Sequence, residues 1–270
     1  HFEVVQLPEN GHETGGSYRS PYRVFLGLLD GDWFTAAERY RAWALEQAWA
    51  RSSRMKAGAT PQWAVDTGLW VWNRGQSENV LGPAAALQGA AGVPVSVFWH
   101  WWHGCAYDVG FPEYLPPREG AQHFRDAVSA AHGQDLHAIV YMNQRLWGMA
   151  TESWKTLDAA RYAVKGPDGT IRPEVYNTFM KLPCASMCMG TAFWRDTYAR
   201  LATEAVLDLG VDGIYMDQAC SSLNCYDASH SHAVGGGTYW IKGFQTLQGD
   251  IRERCQNGGC AVTLAGEGCG

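Results

Sequence analysis

The stretch that decides the fold is TAFWRDTYARLATEAVLDLGVDGIYMDQ, residues 191–218. Its first part repeats apolar residues at helical spacing and so forms one apolar face: Trp194, Tyr198, Leu201, Ala205 and Leu209. Gly210 follows as a left-handed cap, and VDGIYM (211–216) is a short apolar run typical of a buried strand. The stretch therefore predicts a helix that leads into a buried strand, with Asp217 directly after the strand.

The same alternation continues on both sides of this stretch. Further strand-like runs occupy residues 67–72, 93–99, 137–142 and 260–265, and helical patterns occupy residues 78–92, 119–133 and 238–255. Repeated strand–helix–strand units predict parallel strands with right-handed crossovers, as in a doubly wound sheet or a (β/α)8 barrel. No G-x-G-x-x-G follows the first run, as a dinucleotide fold would require, so the sequence favours the α/β barrel.

The chain also contains segments that do not follow this alternation. Residues 22–31 form a strand-like run and residues 34–49 an amphipathic helix, so we expect a short N-terminal strand and a linker helix before the barrel. Residues 63–270 then form the first part of a TIM-type barrel, truncated after about five strands. The strands at 67–72 and 260–265 should be its edges. Segment 143–189 lacks periodicity, and we expect it to fold over the active face.

Composition restricts the classes of partner. The 270 residues are 46% hydrophobic and 18% charged, which is typical of a globular protein. A net charge of -6 with dispersed Lys and Arg predicts no nucleic-acid partner. No apolar run approaches the roughly 18 residues that a membrane span needs. The 13 Trp residues exceed what a core of this size requires, so we expect some of them to line a cleft.

The spacing of the cysteines indicates the redox state of the protein's compartment and whether it has a metal site. Three close pairs suit short disulfide loops as well as they suit buried thiols: Cys184/Cys188, Cys220/Cys225 and Cys255/Cys260. We expect an extracellular or other oxidising compartment. No CxxC pair is present and the spacings do not resemble a zinc finger, so the sequence predicts no metal site.

Two carboxylates follow predicted strands directly, Asp217 after the fourth and Glu267 after the fifth. In a barrel, active sites lie at the C-terminal ends of the strands. Glycosidic cleavage requires an anion below the sugar ring and a proton donor at the leaving oxygen, which one pair of carboxyl groups can supply. The pair therefore predicts cleavage of a glycosidic bond without a cofactor.

Three stretches resemble one family: LGVDGIYMDQ (209–218), CYDASHSHAVGGGTYWIKGF (225–244) and TLAGEG (263–268). They resemble glycoside-hydrolase-like (β/α)8 barrels related to endo-α-N-acetylgalactosaminidases and, more distantly, to α-galactosidases and α-amylases. The resemblance implies a retaining enzyme with Asp217 as nucleophile and Glu267 as acid/base, although relatives differ in the strand that carries the acid/base. GDWFTAAERYRAW (31–43) resembles the linker between a β-sandwich and the barrel. This implies that residues 1–62 are the end of a β-sandwich-like domain plus a linker helix.

Other polar and aromatic residues near strand ends are candidates for binding an oligosaccharide or glycoconjugate substrate: Trp72, Trp102, His103, Asn143, Gln218 and His232. Tryptophan rings can present flat faces to sugars, and an amide can both donate and accept hydrogen bonds. For the tryptophans and the histidine at 103, packing in the core is an equally good interpretation.

Two alternative functions remain open at this stage. The first is a non-catalytic carbohydrate-binding barrel, in which the carboxylates only bind the ligand. The second is a metal-dependent hydrolase that uses His230, His232 and Asp227, although a capped loop facing the sugar is the better interpretation of that segment.

Overall fold

The computed structural model describes residues 3–106 and 108–267. The helices are α1 (Trp33–Ala44), α2 (Ala48–Arg51), α3 (Gln62–Asp66), α4 (Ser77–Ala91), α5 (Ala121–His132), α6 (Glu152–Thr156), α7 (Ala192–Leu207) and α8 (Tyr239–Asn257), with a 3₁₀ turn at Ala159–Tyr162. The strands are β1 (Leu69–Arg74), β2 (Val95–His100), β3 (His137–Asn143), β4 (Leu146–Gly148), β5 (Cys184–Ser186), β6 (Gly213–Asp217) and β7 (Thr263–Gly266).

The centre of the fold is a five-stranded sheet in the order β1-β2-β3-β6-β7. Every neighbouring pair is parallel, so the five predicted strands are confirmed as consecutive, parallel neighbours with helices between them. In the part of the chain that the structure describes, β1 and β7 are the edges and no ladder joins them. Closure of a barrel is therefore not observed, and the truncated (β/α)8 barrel stays a prediction.

One face of the sheet is buried against the helices. Its residues are almost fully inaccessible to solvent: Val97, Trp99, Val140, Met142, Ile214 and Met216. The Trp99 ring stacks on Phe124 of α5, with 4.7 Å between ring centroids. From α7, the Tyr198 hydroxyl donates to the Met142 carbonyl at 3.0 Å. The predicted apolar face of α7 thus packs on the sheet, as the periodicity indicated.

The opposite face, which we call the aromatic face, carries Trp70, Trp72, Phe98, Tyr141 and Tyr215. Rings of this face are in contact even across an intervening strand, and the centroids of Phe98 on β2 and Tyr215 on β6 lie 4.2 Å apart. This face is most accessible at β1, where 52% of Trp72 is exposed, whereas Tyr141 on β3 is buried. The two faces therefore differ: one is a core, and the other is an open surface above which a ligand or further structure can lie.

The expected N-terminal strand is wrong. Residues 22–31 form no strand, and Phe25 and Leu28 are 84% and 99% exposed. An apolar run becomes a strand only where a neighbour accepts its backbone hydrogen bonds, and the described residues supply none here. The linker helix is confirmed as α1, which begins where the Asp32 side chain accepts from the amides of Phe34 and Thr35. The β-sandwich-like assignment of residues 1–62 stays a prediction.

Asp212 joins strands β3 and β6 at the N-terminal end of the sheet. Its carboxylate accepts from His137 Nδ1 and from the Ala138 amide at 2.8 Å each, and it lies 3.0 Å from His132 Nε2. Burial alone would raise the pKa of Asp212, but the hydrogen bonds from His132, Ala138 and His137 hold it below its ordinary value. Its stabilisation is therefore present above the unfolded pKa of about 3.9 and lost as the pH falls through the lower folded pKa.

We expect Asp212→Asn to lower the free energy of unfolding by about 2 kcal/mol at pH 7, because an amide cannot reproduce three charge-assisted acceptor bonds. Asp135→Asn is the matched control. Its carboxylate also lies beside His137, at 3.7 Å, but is 89% exposed, so we expect a change below about 0.5 kcal/mol. Urea unfolding measures both variants. Equal losses in the two would contradict a structural role for Asp212.

Candidate active site

Asp217 ends strand β6 and is held by two residues of β3. Its Oδ2 accepts from the Tyr141 hydroxyl at 2.8 Å and from Asn143 Nδ2 at 3.0 Å. Asn143 is only 1% exposed and pairs with Asp217 in the β3–β6 ladder. Both bonds reach the same oxygen, so they fix the orientation of the carboxylate. The expectation that Asn143 and Asp217 meet at one end of the sheet is confirmed.

Glu267 follows β7 and lies beside Asp217. Met216 pairs with Gly266, so the two carboxylates are the next residues of adjacent strands. Their side chains are hydrogen-bonded, and the negative charge of Asp217 raises the pKa of the Glu267 carboxyl above its ordinary value, with desolvation adding to this. Glu267 thus keeps its proton to a higher pH than a free glutamic acid. The structure brings the predicted pair together, while their catalytic roles stay predictions.

A buried polar run after β3 continues the cluster. Asn143 Oδ1 accepts from the amides of Arg145 and Leu146. The Arg145 guanidinium, of which 5% is exposed, donates to Gln218 Oε1 at 3.1 and 3.2 Å. Gln218 itself has φ of 57°, and this left-handed turn places its side chain beside Asp217 and Arg145. Burying a polar group costs free energy unless the group is hydrogen-bonded, and each of these groups has a partner. The contacts link Gln218 to the end of β3.

The long segment 143–189 supplies the outer partner of Arg145. Glu174 Oε2 accepts from Arg145 Nη2 at 2.8 Å, and Glu174 Oε1 accepts from the Ser186 hydroxyl at 2.6 Å. Burial alone would raise the pKa of Glu174, but hydrogen bonds from Ser186 and Tyr176 and the charge of Arg145 hold it below its ordinary value. The expectation that this segment folds over part of the active end is confirmed. It includes the antiparallel pair β4 and β5.

Two further titratable groups lie near Asp217, His100 and Asp108, and of these sequence reasoning missed Asp108. His100 ends β2, its ring centroid lies 4.2 Å from that of Tyr141, and burial lowers its pKa to about 4, so it is neutral at pH 7. Burial, and then the charge of Asp217, raise the pKa of Asp108. Asp108 belongs to the loop after β2, and a sequence pattern cannot predict where a loop carboxylate points. Arg145 and Glu174 were missed as well, although Arg145 stands only two residues after a strand end.

Trp72 lies at the β1 side of the cluster. Its ring centroid is 5.4 Å from that of His100, and the Arg74 guanidinium carbon lies 4.6 Å from the Trp72 centroid. About half of the ring is exposed. This position fits the predicted flat platform for a sugar, and Trp72 stays a candidate for binding.

Trp102 and His103 are not binding residues, which corrects the sequence prediction. Both are fully buried. Trp102 Nε1 donates to the Tyr141 carbonyl at 2.8 Å, and the His103 ring packs edge-on against Tyr114 at 5.4 Å. The cause is Trp101, whose φ of 48° turns the chain inward after β2, so that the next two side chains enter the core.

His232 is held by contacts within the protein. Its Nδ1 donates to the Ala233 carbonyl at 2.7 Å, its ring stacks on Tyr239 at 3.9 Å, and its Nε2 lies 3.1 Å from Cys188 Sγ. Both ring nitrogens are thus occupied within the protein. The loop after β6 thus packs against the segment that follows β5, and the sequence prediction that His232 binds substrate stays a prediction.

His232 belongs to a group that we call the Cys–His cluster: Cys188, Cys225, His230 and His232. The sulfur and ring nitrogen atoms of these four residues all lie within 4.8 Å of one another. The four residues are therefore close enough together to share a metal ion, and the prediction of no metal site stays a prediction. From the sequence alone, His230 and His232 are grouped with Asp227 as ligands of a metal-dependent hydrolase. Asp227 instead binds Lys165 and lies outside the Cys–His cluster, with its carboxylate 3.6 Å from His230 Nε2.

The described cysteines are free thiols: Cys105, Cys184, Cys188, Cys220, Cys225, Cys255 and Cys260. Cys269 lies outside the described residues. None of the three pairs that are close in sequence forms a disulfide in this structure. Of the two interpretations, disulfide loops or thiols, the structure shows thiols. The oxidising compartment stays a prediction. Among the described helices, none has the length and hydropathy needed to cross a membrane.

The chain is similar to proteins that are named as glycoside hydrolases. A family model described as "Domain of unknown function (DUF6259)" matches residues 18–270. A Bacteroides thetaiotaomicron protein named "Putative glycoside hydrolase" is 27% identical over 248 residues, covering 90% of this chain and 36% of that protein. A Monosiga brevicollis protein, "Putative glycoside hydrolase 22789", is 23% identical over 283 residues, covering 93% of this chain and 24% of that protein. The chain thus spans about a third or less of these relatives.

A solved structure with the same fold is the α-N-acetylgalactosaminidase NagBb from Bifidobacterium bifidum. It superposes with a TM-score of 0.64 at 17% identity, covering 86% of this chain and 41% of that one. The likeness establishes that the mostly parallel α/β fold is similar to that of a glycoside hydrolase. The family resemblance read from the three sequence stretches is therefore confirmed.

Proposed function

This chain belongs to the DUF6259 family, and from that premise we propose that it is the catalytic part of a retaining glycoside hydrolase. It cleaves O-glycosidic bonds in oligosaccharides or glycoconjugates. Asp217 is the nucleophile and Glu267 is the acid/base. The observation that carries the proposal is the meeting of these two carboxyl groups at the ends of adjacent strands, with one pKa raised by the charge of the other.

The first chemical step forms an ester between Asp217 and the anomeric carbon. The bond from that carbon to the leaving oxygen breaks, and Glu267 gives its proton to this oxygen. Tyr141 and Asn143 hold the attacking carboxylate in one orientation. In the second step, the Glu267 carboxylate takes a proton from water, whose oxygen attacks the anomeric carbon and releases Asp217.

The two carboxyl groups lie closer to each other than they would with a sugar between them. In retaining enzymes the two carboxyl groups lie about 5–5.5 Å apart, with the reacting sugar between them. In this structure they are hydrogen-bonded to each other, which is closer than that spacing. Glu267 is exposed, so its side chain is able to swing away from Asp217 when a sugar enters. An inverting mechanism needs a larger separation, which would leave room for a water below the ring.

We further propose that the five parallel strands are the first five of a (β/α)8 barrel. The two sheet edges at β1 and β7 and the partly exposed aromatic face support this, because further strands would pair with both edges and cover that face. The superposition on an α-N-acetylgalactosaminidase, of which this chain covers 41%, also supports it.

The name of that neighbour gives the first substrate to try, an α-linked N-acetylgalactosaminide. Room for further sugar units is available beside Glu174. A cavity of about 480 Å³ there is lined by Glu174, Ser186, Ser222 and Tyr226 among others. Glu174 connects this cavity to Gln218 through Arg145.

The stereochemistry of the released sugar tests the proposal. We expect the natural full-length protein to cleave aryl α-glycosides and to release, as its first product, the sugar with unchanged anomeric configuration. Proton NMR during the first minutes of the reaction distinguishes the two anomers. A product of opposite configuration would mean an inverting enzyme. Binding of sugars without turnover on a broad panel of glycosides would instead identify a non-catalytic carbohydrate-binding barrel.

A further inference from the structure

We propose that the Cys–His cluster binds one zinc ion, which fastens the loop after β6 to the segment between β5 and α7. The observation is that two thiols and two imidazoles, from two separate parts of the chain, converge within 4.8 Å of one another. Zinc prefers tetrahedral sulfur and nitrogen coordination, and two cysteines with two histidines is one of its common structural ligand sets. The site is separate from the carboxylates proposed for catalysis.

Two of the distances between ligand atoms are already close to those of a tetrahedral zinc site. With zinc–sulfur bonds of about 2.3 Å and zinc–nitrogen bonds of about 2.0–2.1 Å, tetrahedral ligands lie roughly 3.3–3.8 Å apart. Cys188 Sγ and His232 Nε2 are separated by 3.1 Å, and Cys225 Sγ and His230 Nδ1 by 3.4 Å. Shifts of a few tenths of an ångström therefore bring these pairs to the geometry of a metal site.

Both histidines are held with the lone pair of one nitrogen facing the cluster. His230 Nε2 donates to the Arg161 carbonyl at 2.8 Å, which leaves Nδ1 toward Cys225. His232 Nδ1 donates to the Ala233 carbonyl at 2.7 Å, which leaves Nε2 toward Cys188. A metal-binding histidine usually donates its other ring N–H to a carbonyl or carboxylate in this way.

The surrounding backbone is built closely around the cluster. A Cβ atom at Gly190 would lie 2.3 Å from His232 Cδ2, so the ring fits only where a side chain is absent. On the adjoining helix α8, a Cβ atom at Gly243 would lie 2.2 Å from the Met189 carbonyl oxygen. These two close approaches position the segment that carries Cys188.

Burial distinguishes a structural metal site from other roles of cysteine and histidine. Cys188 and Cys225 are fully buried, so neither thiol is accessible to a substrate or an oxidant. Four protein ligands complete a tetrahedral zinc, which leaves no open position for a reactive water. The proposed zinc therefore cross-links two segments and performs no hydrolysis. One of these segments begins at Gln218, beside Asp217.

Metal analysis of the natural full-length protein tests the proposal. We expect about one zinc per chain after purification under reducing conditions without chelator, and release of that zinc when a mercurial reagent modifies the thiols. Cys225→Ser and His230→Gln should lose it, because each removes one ligand. Cys255→Ser, which alters a buried cysteine in α8 outside the cluster, is the matched control and should retain it. We also expect strong chelators to lower the melting temperature of the wild type by roughly 5–10 °C.

Cobalt substitution keeps the test decisive if the variants do not fold. Cobalt(II) added to chelator-treated wild-type protein should give the intense visible bands of a tetrahedral site, with thiolate-to-metal charge transfer, saturating at one equivalent. Two results would overturn the proposal. One is wild-type protein that holds no zinc and gives no tetrahedral cobalt spectrum. The other is a Cys188–Cys225 disulfide found by peptide mapping of the native protein.

Discussion

Asp217→Asn is expected to lower kcat/KM of the natural full-length protein on glycosides by roughly 10⁴- to 10⁶-fold, because an amide oxygen cannot form the covalent intermediate. The substitution should preserve the fold. The two bonds from Tyr141 and Asn143 reach a single oxygen, and the amide oxygen that replaces it can accept both. Affinity for the unreacted substrate should therefore change little. Initial rates and equilibrium binding measure the two effects separately.

The control for this loss is Asp135→Asn, the same chemical change at an exposed carboxylate near the opposite end of the sheet. It should retain wild-type rates. Added azide should restore part of the turnover of Asp217→Asn by attacking the anomeric carbon directly, with release of a glycosyl azide of inverted configuration. If Asp217→Asn retains more than about a tenth of the wild-type rate, Asp217 is not the nucleophile.

Glu267→Gln is expected to lower the rate by roughly 10²- to 10⁴-fold on glycosides with poor leaving groups. The loss should be much smaller for aryl glycosides whose leaving phenol is acidic, since such a leaving group needs no proton. The pH profile should also change. Asp217 raises the pKa of Glu267, and a general acid works only when protonated. Wild-type kcat/KM should therefore fall as the pH rises through that raised pKa, and this alkaline limb should be absent in Glu267→Gln.

Asp108→Asn is the variant to compare with Glu267→Gln. Asp108 is a half-buried carboxyl whose pKa is raised by burial and by Asp217, so it is the competing proton donor within the described residues. We expect Asp108→Asn to show no dependence on the leaving group. If that dependence and the loss of the alkaline limb appear in Asp108→Asn, and Glu267→Gln behaves as wild type, the acid/base role belongs to Asp108.

The strand positions could be predicted from the sequence because each is a short apolar run bounded by a helix. The location of strand-end residues is equally predictable, because the last residues of parallel strands lie at the same edge of the sheet. Asn143 and Asp217 are in contact for this reason. Apolar character alone was insufficient at residues 22–31, because a strand also requires a neighbour.

Other site residues depended on contacts that no local pattern records. Trp102 and His103 were misassigned because a single left-handed residue, Trp101, reverses the direction of the chain after β2. Glu174 reaches Arg145 from the interior of a long aperiodic segment. The sequence offered His230 and His232 as metal ligands only together with Asp227. Cys188 was missed because it comes from a different segment than its three partners in the Cys–His cluster.

The strand order β1-β2-β3-β6-β7 follows the order of the chain, and this bears on how the protein is made. On the ribosome, each strand of the sheet emerges when the neighbour it pairs with is already synthesised, so no strand must wait for a later one. The sheet can grow one strand at a time at the rate of translation, about 5–20 residues per second. During elongation, the growing end of the sheet is always the most recently synthesised strand. The sheet therefore grows at one edge only, while its first strand, β1, stays the other edge throughout synthesis.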